Sequence, residues 1–217
     1  MGKLYIVATP IGNLEDITLR ALRILKEVDL ILCEDTRVSK RLLDHYQIKT
    51  PTLSYHQHSG KLKTEKVVSQ ISRKSIALVT DAGTPGVSDP GGKLVAEVLT
   101  SGHQVEPIPG PSALTAAISI SGLPMDKFLF LGFLPHKKGR QTLLKKIEAS
   151  EHSVVLYESV YRIEKLLKEL PSESQIVLGR ELTKKFETVY RGSVKEVQEQ
   201  LLKDKVKGEF VVIIRNK

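Results

Sequence analysis

The segment 78–92 combines an apolar strand with a loop whose residue types suit ligand binding. Glycine permits positive φ and a close approach of the main chain to a ligand, whereas proline fixes φ and lowers the entropy of an open loop. Asp89 and Pro90 have the residue types of an N-cap and a first helical position, so we predict that a helix begins there. A strand, a glycine-rich loop and a helix in this order are typical of a site for a nucleotide-like ligand, although a tight structural connection has the same pattern. The loop contains Gly83, Pro85, Gly86, Pro90, Gly91 and Gly92.

The spacing of these glycines excludes the two commonest phosphate loops. A P-loop needs Gly, four residues and then Gly-Lys-Ser/Thr, whereas Gly91 is followed here by Gly92, Lys93 and Leu94. The dinucleotide fingerprint G-x-G-x-x-G is missing from this loop, and it is also missing after the first strand, where the chain continues as Ala8-Thr-Pro-Ile-Gly-Asn13. A nucleotide-like ligand would therefore be held by a different kind of loop.

Composition indicates an ordinary globular protein with an excess of positive charge. The 217 residues are 41% hydrophobic, which suffices for a substantial core. No apolar run reaches the ~18 residues of a membrane span and the N-terminus lacks the pattern of a signal peptide, so we expect a cytoplasmic location. The single cysteine, Cys33, lies in an apolar run and is predicted to be a buried, inert thiol, which excludes a disulfide framework.

A net charge of +8 favours a polyanionic partner. The positive residues cluster in Pro135-His-Lys-Lys-Gly-Arg140, where Gly139 would let the backbone approach a phosphate. We predict that Lys137, Lys138 and Arg140 contact phosphates, with a solvated surface as the alternative. His56-Gln-His58 could be a metal-binding pair, but without a third ligand at regular spacing a polar loop is the better interpretation.

Strands and helices alternate along the first half, which predicts an α/β domain with a mainly parallel sheet and a ligand site at the carboxyl ends of its strands. The first helix is predicted to have Asp16 as its N-cap. The predicted strands span 4–8, 30–33, 52–55, 76–80 and 105–107, and the predicted helices span 17–28, 39–46, 64–73 and 90–99.

The second half is predicted to be an α/β domain with a mixed sheet, because the connection between Arg180 and Thr188 is too short for a crossover helix. We place the domain boundary after a small-residue helix over 113–121, which gives domains at 1–121 and 122–217. The predicted strands span 128–134, 154–157, 176–179, 188–191 and 210–214, and the predicted helices span 140–150, 160–170 and 194–204.

Six segments together closely resemble one family, the small-subunit ribosomal RNA cytidine 2′-O-ribose methyltransferases of the tetrapyrrole methylase superfamily. The resemblance implies S-adenosylmethionine as methyl donor, no metal, a homodimer, 16S ribosomal RNA as partner, and two α/β domains with the donor between them. Such relatives commonly continue past the last strand into a helical segment, whereas this sequence ends at Lys217. The segments are 8–16, 33–37, 81–91, 109–113, 157–162 and 179–184.

The resemblance also implies which residues contact the donor. Thr84 occupies a position where the tetrapyrrole enzymes commonly have Asp. In this difference the sequence resembles the RNA-modifying branch of the superfamily. The implied contacts are Pro10, Ala82, Gly83, Thr84, Val87, Ser112 and Ala113 in the first domain, and Tyr157, Leu182, Glu209 and Phe210 in the second.

The implied chemistry needs positioning more than activation, because a sulfonium donor requires only an in-line nucleophile and exclusion of water. The ribose 2′-hydroxyl, however, needs an acceptor for its proton. The sequence leaves this base open, since each candidate acid could instead be a helix cap or part of an ion pair. We expect Glu158, Arg162, Glu181 and Lys184 to affect methyl transfer most. The other candidates are the acids Glu34, Asp35 and Asp81 and the cations Arg37 and Arg180.

Two other functions fit parts of this pattern. A methyltransferase for a small tetrapyrrole would share the fold but would not need the basic cluster. A non-catalytic ribosome-assembly factor would bind donor or RNA without turnover.

Overall fold

The computed structural model describes residues 2–204 and 207–216. The chain divides into two compact units, Met1–Ser112 and Ala113–Lys217. The helix α5, Ala113–Ser119, contacts the last strand of the second unit and therefore belongs to that unit. The sequence analysis assigns this helix to the first domain, so the division in the structure comes nine residues before the predicted boundary.

The first unit is built on a five-stranded sheet in the order β3-β2-β4-β1-β5, in which every neighbouring pair is parallel. The carboxyl ends of all five strands therefore lie at one edge, where the loops that follow them emerge. This confirms the predicted parallel sheet. The strands are β1 Lys3–Val7, β2 Leu30–Cys33, β3 Thr52–Ser54, β4 Ile76–Val79 and β5 Gln104–Ile108.

Four helices cover the two faces of this sheet: α1 Leu19–Glu27, α2 Thr36–His45, α3 Lys61–Ile71 and α4 Gly92–Thr100. Successive side chains of a strand point to opposite faces, so neighbouring residues of β2 enter different cores. Ile31 packs in a cluster with Leu25 of α1, whereas Leu32 packs in a cluster with Leu94 of α4. Cys33 is buried as predicted, and this burial raises the pKa of its thiol.

Several helices begin two or three residues from their predicted starts, and for α1 and α4 the residues at the helix start explain the difference. Helix α1 begins at Leu19 because the Thr18 hydroxyl accepts from the Ala21 N–H, whereas Asp16 ends a short 3₁₀ turn. Helix α4 begins at Gly92. The preceding residue, Gly91, has a φ of 144°, which is not helical, so the loop continues to Gly91. Asp89 and Pro90 therefore belong to the loop and are not an N-cap and first helical residue.

The second unit has a mixed sheet in the order β6-β7-β10-β8-β9, as predicted. Only β6 and β7 are parallel, and β8 and β9 form the expected antiparallel pair. The strands are β6 Phe128–Phe133, β7 Ser153–Ser159, β8 Gln175–Arg180, β9 Thr188–Ser193 and β10 Glu209–Arg215, and the helices after α5 are α6 Arg140–Glu148, α7 Ile163–Glu169 and α8 Val194–Leu201.

Neither a membrane-spanning helix nor a metal-binding cluster occurs among the described residues. Across 2–204 and 207–216, no helix is long and apolar enough to cross a membrane. Within the same ranges, no group of three or more His, Cys, Asp or Glu side chains is placed to hold a metal ion.

Candidate functional site

The loops after β1 and β4 are joined by a pair of backbone hydrogen bonds. The Thr9 N–H donates to the Gly83 carbonyl at 2.9 Å, and the Gly83 N–H donates to the Thr9 carbonyl at 3.0 Å. The Thr9 hydroxyl also donates to the Thr80 carbonyl at 3.2 Å. These bonds hold Pro10, which is buried, beside the glycine-rich loop.

The loop after β5 is attached to the same group. The Thr84 hydroxyl donates to the Pro111 carbonyl at 3.1 Å. A side chain at Gly110 would place its Cβ 3.1 Å from the Ala8 Cβ, so glycine permits the close approach of this loop to the end of β1. The structure therefore brings together the three loops of the first unit that are predicted to hold the donor.

The glycine-rich loop has a folded backbone conformation. Gly83 and Gly86 have φ values of 78° and 88°, which favour glycine, and the Val87 N–H closes a turn by donating to the Thr84 carbonyl at 3.2 Å. Ser88 also has a positive φ, 64°, which is uncommon for a residue with a side chain. No sequence signal marks Ser88 for this conformation, and the sequence analysis misses it.

Three carboxylates lie close together after β2 and β4, which are neighbouring strands. The Asp35 N–H donates to Asp81 Oδ1 at 3.0 Å. Burial, followed by the charge of Asp81, raises the pKa of Glu34. Burial also raises the pKa of Asp81, and the charge of Asp35 adds to this effect. Glu34 and Asp81 thus form an acidic pair in which protonation is easier than in water.

Asp35 has a different role from its two neighbours. Its carboxylate caps α2 by accepting from the Arg37 N–H at 2.8 Å, and it pairs with the Arg37 guanidinium at 2.6 Å. These hydrogen bonds from Arg37 lower the pKa of Asp35 to about 2. Asp35 is therefore a helix cap that is ion-paired with Arg37, which is the alternative to a catalytic role considered from the sequence. Glu34 and Asp81 remain candidates for proton transfer.

Glu158, on β7, is buried within an ion-pair cluster. Its side chain is 1% exposed, Oε1 lies 2.7 Å from Arg162 Nε, and the same oxygen accepts from the Ser159 N–H at 2.8 Å. Arg162 in turn donates to the Leu134 carbonyl at 2.9 Å. Both side chains are therefore engaged inside the second unit, and this arrangement favours a structural role over contact with substrate.

Arg140 belongs to the same cluster, and its predicted contact with RNA is wrong. The residue is 3% exposed, and its guanidinium donates to Glu169 Oε2 at 2.9 Å through Nε. Its Nη1 lies 3.9 Å from Glu158 Oε2, a buried oxygen that lacks a hydrogen-bond partner among the described residues. Arg140 begins α6 and points to the end of α7, so phosphates cannot reach it. Lys137 and Lys138 are exposed, and their contact with RNA stays a prediction.

Glu181 and Lys184 form a second network that ties two loops together. Lys184 Nζ lies 2.9 Å from Glu181 Oε1 and 2.9 Å from Glu209 Oε2, and Glu181 Oε1 also accepts from the Glu209 N–H at 3.0 Å. Burial alone would lower the pKa of Lys184, but its hydrogen bonds to the two carboxylates outweigh burial and raise it. A Cβ at Gly208 would overlap the Glu181 side chain, so the loop before β10 packs directly on this network.

The residues predicted to surround the adenosine are not equally accessible. Phe210 is 2% exposed and its side chain packs in the core of the second unit, so its predicted contact with the adenosine stays a prediction for its backbone alone. Leu182 is also buried and packs against Gly179. Tyr157 is half-buried, with its ring edge against Phe130 at 5.2 Å between centroids. Tyr157, Leu182 and the exposed Glu209 stay predictions.

Comparisons with known proteins agree with this architecture. Residues 3–198 match the model of the Tetrapyrrole (Corrin/Porphyrin) Methylases family. Relatives from Thermotoga maritima and Haemophilus influenzae, each named ribosomal RNA small subunit methyltransferase I, are 44% and 45% identical over 221 and 224 residues. The alignments cover 100% of this chain, together with 100% of the first relative and 79% of the second.

Solved structures with low identity share the fold. A diphthine synthase superposes with a TM-score of 0.77 at 15% identity, covering 99% of this chain and 90% of that protein. A uroporphyrin-III C-methyltransferase from Thermus thermophilus, complexed with S-adenyl homocysteine, superposes with a TM-score of 0.69 at 23% identity. That superposition covers 99% of this chain and 98% of the other.

Proposed function

The chain belongs to the tetrapyrrole methylase family, as a methyltransferase of the small-subunit ribosomal RNA type, and we propose that it methylates the 2′-hydroxyl of a cytidine in 16S ribosomal RNA. S-adenosylmethionine is the proposed methyl donor. The observation that carries the proposal is the convergence of three donor loops beside an acidic pair at one edge of a parallel sheet. The relatives' names favour this function over a tetrapyrrole methyltransferase or a non-catalytic assembly factor.

The three loops suit a donor whose reactive group is a cation. Segments 8–13, 80–92 and 109–112 contain no Lys or Arg, so no positive side chain within them would repel a sulfonium. They offer backbone groups and small side chains, including Thr84 and Ser112, which match a ligand recognised by shape and hydrogen bonds rather than by phosphate charge. When bound, the donor supplies an electrophilic methyl group. Pro10, Ala82, Gly83, Thr84, Val87, Ser112 and Ala113 are the residues we propose to hold it.

Glu34 and Asp81 are the residues we propose to receive the proton of the acceptor hydroxyl. A general base works best when its pKa approaches the working pH. Partial burial raises the pKa of both carboxyl groups, and the charge of Asp81 adds to this effect at Glu34, while the charge of Asp35 adds to it at Asp81. Asp35 is not proposed as a base, because Arg37 stabilises its ionised form. Glu158, Arg162, Glu181 and Lys184 are proposed to support the second unit as paired structural residues.

The RNA partner and the assembly state are also part of the proposal. The exposed Lys137 and Lys138, together with the net charge of +8, support contact with ribosomal RNA in the small subunit. Ile120, Phe128 and Phe133 expose apolar surface on the second unit, which supports a homodimer. A cytoplasmic location follows from a ribosomal substrate.

The test is methyl transfer to small ribosomal subunits purified from cells that lack the gene. The labelled methyl group of S-adenosylmethionine should enter 16S RNA at one cytidine ribose, as read from a ribose-methylation map. Particles from parent cells, already modified, should accept no further label. Absence of transfer to unmodified particles, or transfer to a base nitrogen or carbon, would contradict the proposal.

A further inference from the structure

A cavity of about 430 Å³ opens in the first unit, and none of the residues proposed to hold the donor is among those that line it. One wall is the segment 55–59, which follows β3 and includes His56 and His58. The opposite wall is the segment 89–94, which includes Gly92 and Lys93. The volume lies within the range of about 300–1,000 Å³ that is common for small-molecule sites.

The position of the cavity connects the two parts of the proposed active site. Strands β3, β2 and β4 are neighbours, so the residues that follow them, His56, Glu34 and Asp81, emerge side by side at the carboxyl edge. Burial and the charge of Asp81 raise the pKa of Glu34. His56 is close enough to Glu34 to oppose this increase. The segment 89–92 continues directly from the loop residues proposed to hold the donor. A molecule in this cavity would therefore lie beside both the acidic pair and the donor loop.

The histidine wall is held in a defined conformation. The Ser59 N–H donates to the His56 carbonyl at 2.8 Å, and the His56 N–H donates to the Ser59 hydroxyl at 3.1 Å. His56 Nδ1 accepts from the His58 N–H at 3.3 Å, so a neutral His56 ring carries its hydrogen on Nε2 and offers a donor there. On the same side, the Tyr55 and Thr64 hydroxyls are hydrogen-bonded at 3.0 Å.

The lining matches the chemistry of a nucleotide. Imidazole rings are among the side chains on which unstacked RNA bases stack, and Lys93 supplies a positive charge for a phosphate. Gly92 leaves room on the opposite wall, because a Cβ there would have no atom within 4 Å. The segment 56–58, predicted from the sequence to be a polar loop, forms part of the wall of this cavity.

We propose that this cavity binds the acceptor nucleotide of the RNA, extruded from its strand, with its base against His56 and His58, its phosphate towards Lys93 and its ribose facing Glu34 and Asp81. The assignment rests on the proposed function and adds to it the place of the acceptor. It separates the enzyme into a donor site, made of three loops, and an acceptor site, made of the cavity.

Two variants test the assignment by different routes. His56→Ala combined with His58→Ala removes the stacking wall, whereas Gly92→Leu fills the open space from an exposed helical position. Stacking on a side chain contributes about 1–3 kcal/mol per base, which corresponds to a roughly 5–150-fold change. Each variant should therefore lower kcat/KM on unmodified small subunits at least about fivefold, while the Kd for S-adenosylmethionine stays within about twofold.

A control variant distinguishes an effect on the cavity from a general loss of folding or activity. His152→Ala removes an exposed histidine of the second unit and should retain parental kcat/KM. Melting midpoints show whether each variant is folded. If the parent methylates the particles and both cavity variants stay within about twofold of it, the cavity assignment is overturned while the proposed function stands. An inactive parent would overturn the function and, with it, the assignment.

Discussion

The acids at the ends of β2 and β4 differ from the acids of the second unit in what surrounds them. Each set is a candidate from the sequence because a carboxylate lies within a few residues of an Arg or Lys. In the first unit only Asp35 is engaged by the nearby Arg37, and the pKa values of Glu34 and Asp81 are raised. In the second unit Glu158 and Glu181 are held by ion pairs at 2.7 and 2.9 Å.

We infer that pairing with a cation, rather than residue type, distinguishes a structural acid from a candidate reactive acid. A buried ion pair is strongly destabilising to break, because the remaining charge has no partner and no water. The cluster of Glu158, Arg162, Arg140 and Glu169 connects β7 with the helices α6 and α7. We infer that Glu158 and Glu181 hold elements of the second unit together, whereas Glu34 and Asp81 of the first unit are the acids proposed for chemistry.

Blocking the donor loops should have the largest effect. Thr84→Lys replaces the hydroxyl that donates to Pro111 and fills the loop with a long cation, and Ser112→Trp fills the adjoining loop. Both should abolish binding of S-adenosylmethionine in titration calorimetry. Thr84→Ser keeps the hydroxyl and should bind nearly as tightly as the parent. Parental affinity in both bulky variants would remove these loops from the donor site.

Removing the guanidinium of Arg140 should cost the most stability. Arg140→Met leaves Glu158 and Glu169 without this partner, so we expect a loss of about 3–5 kcal/mol in the free energy of unfolding, measured with urea. Lys138→Met, at an exposed position two residues earlier, should change it by less than about 0.5 kcal/mol. Equal effects of the two substitutions would contradict the division between buried and surface cations in this segment.

The exposed lysines should influence RNA affinity through salt. Lys137→Ala combined with Lys138→Ala should reduce the slope of log K against log salt by roughly 0.7–0.9 for each phosphate that the two side chains neutralise in the parent. Donor affinity should not change. An unaltered slope would mean that the two lysines do not contact phosphates and that this segment is a solvated surface.

The smallest predicted effect concerns the stability contributed by Asp81. A carboxyl whose folded pKa is raised stabilises the protein fully below its unfolded pKa, and this contribution is lost as pH rises through the folded pKa. Asp81→Asn, which removes a charge beside Glu34 and Asp35, should therefore raise the melting midpoint at pH 7 slightly, by less than the roughly 2–4 °C that 1 kcal/mol produces in a chain of this size. The gain should disappear near pH 3. A lower midpoint at pH 7 would mean that the Asp81 charge stabilises the fold.

Sequence patterns locate the strands of the first unit more closely than the starts of its helices. The strand over 30–33 is located to the residue, because a continuous apolar run between polar segments marks a buried parallel strand. The loops proposed to hold the donor are identified by the family resemblance, and each follows a strand of the parallel sheet. The start of α4 is missed because the backbone of Gly91, rather than an N-cap side chain, ends the loop.

The role of Arg140 cannot be seen in the sequence, because its partner Glu169 is 29 residues away. Local spacing places Arg140 in a basic cluster with Lys137 and Lys138. Only the ion pair between Arg140 of α6 and Glu169 of α7 reveals that the side chain turns inward. Similarly, Glu181 and Lys184 lie three residues apart, and this spacing suggests an active pair. Their hydrogen bonds with Glu209 indicate instead that the two side chains join two loops.

The central claim is that proton transfer belongs to the acidic pair of the first unit. Single-turnover methyl transfer to unmodified small subunits, with saturating donor, tests it by comparing Glu34→Gln and Asp81→Asn with Glu181→Gln. We predict a loss of about a hundredfold or more for at least one of the first two, in line with the usual contribution of a general base, and a rate within about threefold of the parent for Glu181→Gln. Near-parental rates for both Glu34→Gln and Asp81→Asn, together with a hundredfold loss for Glu181→Gln, would contradict the account and return the chemistry to the second unit.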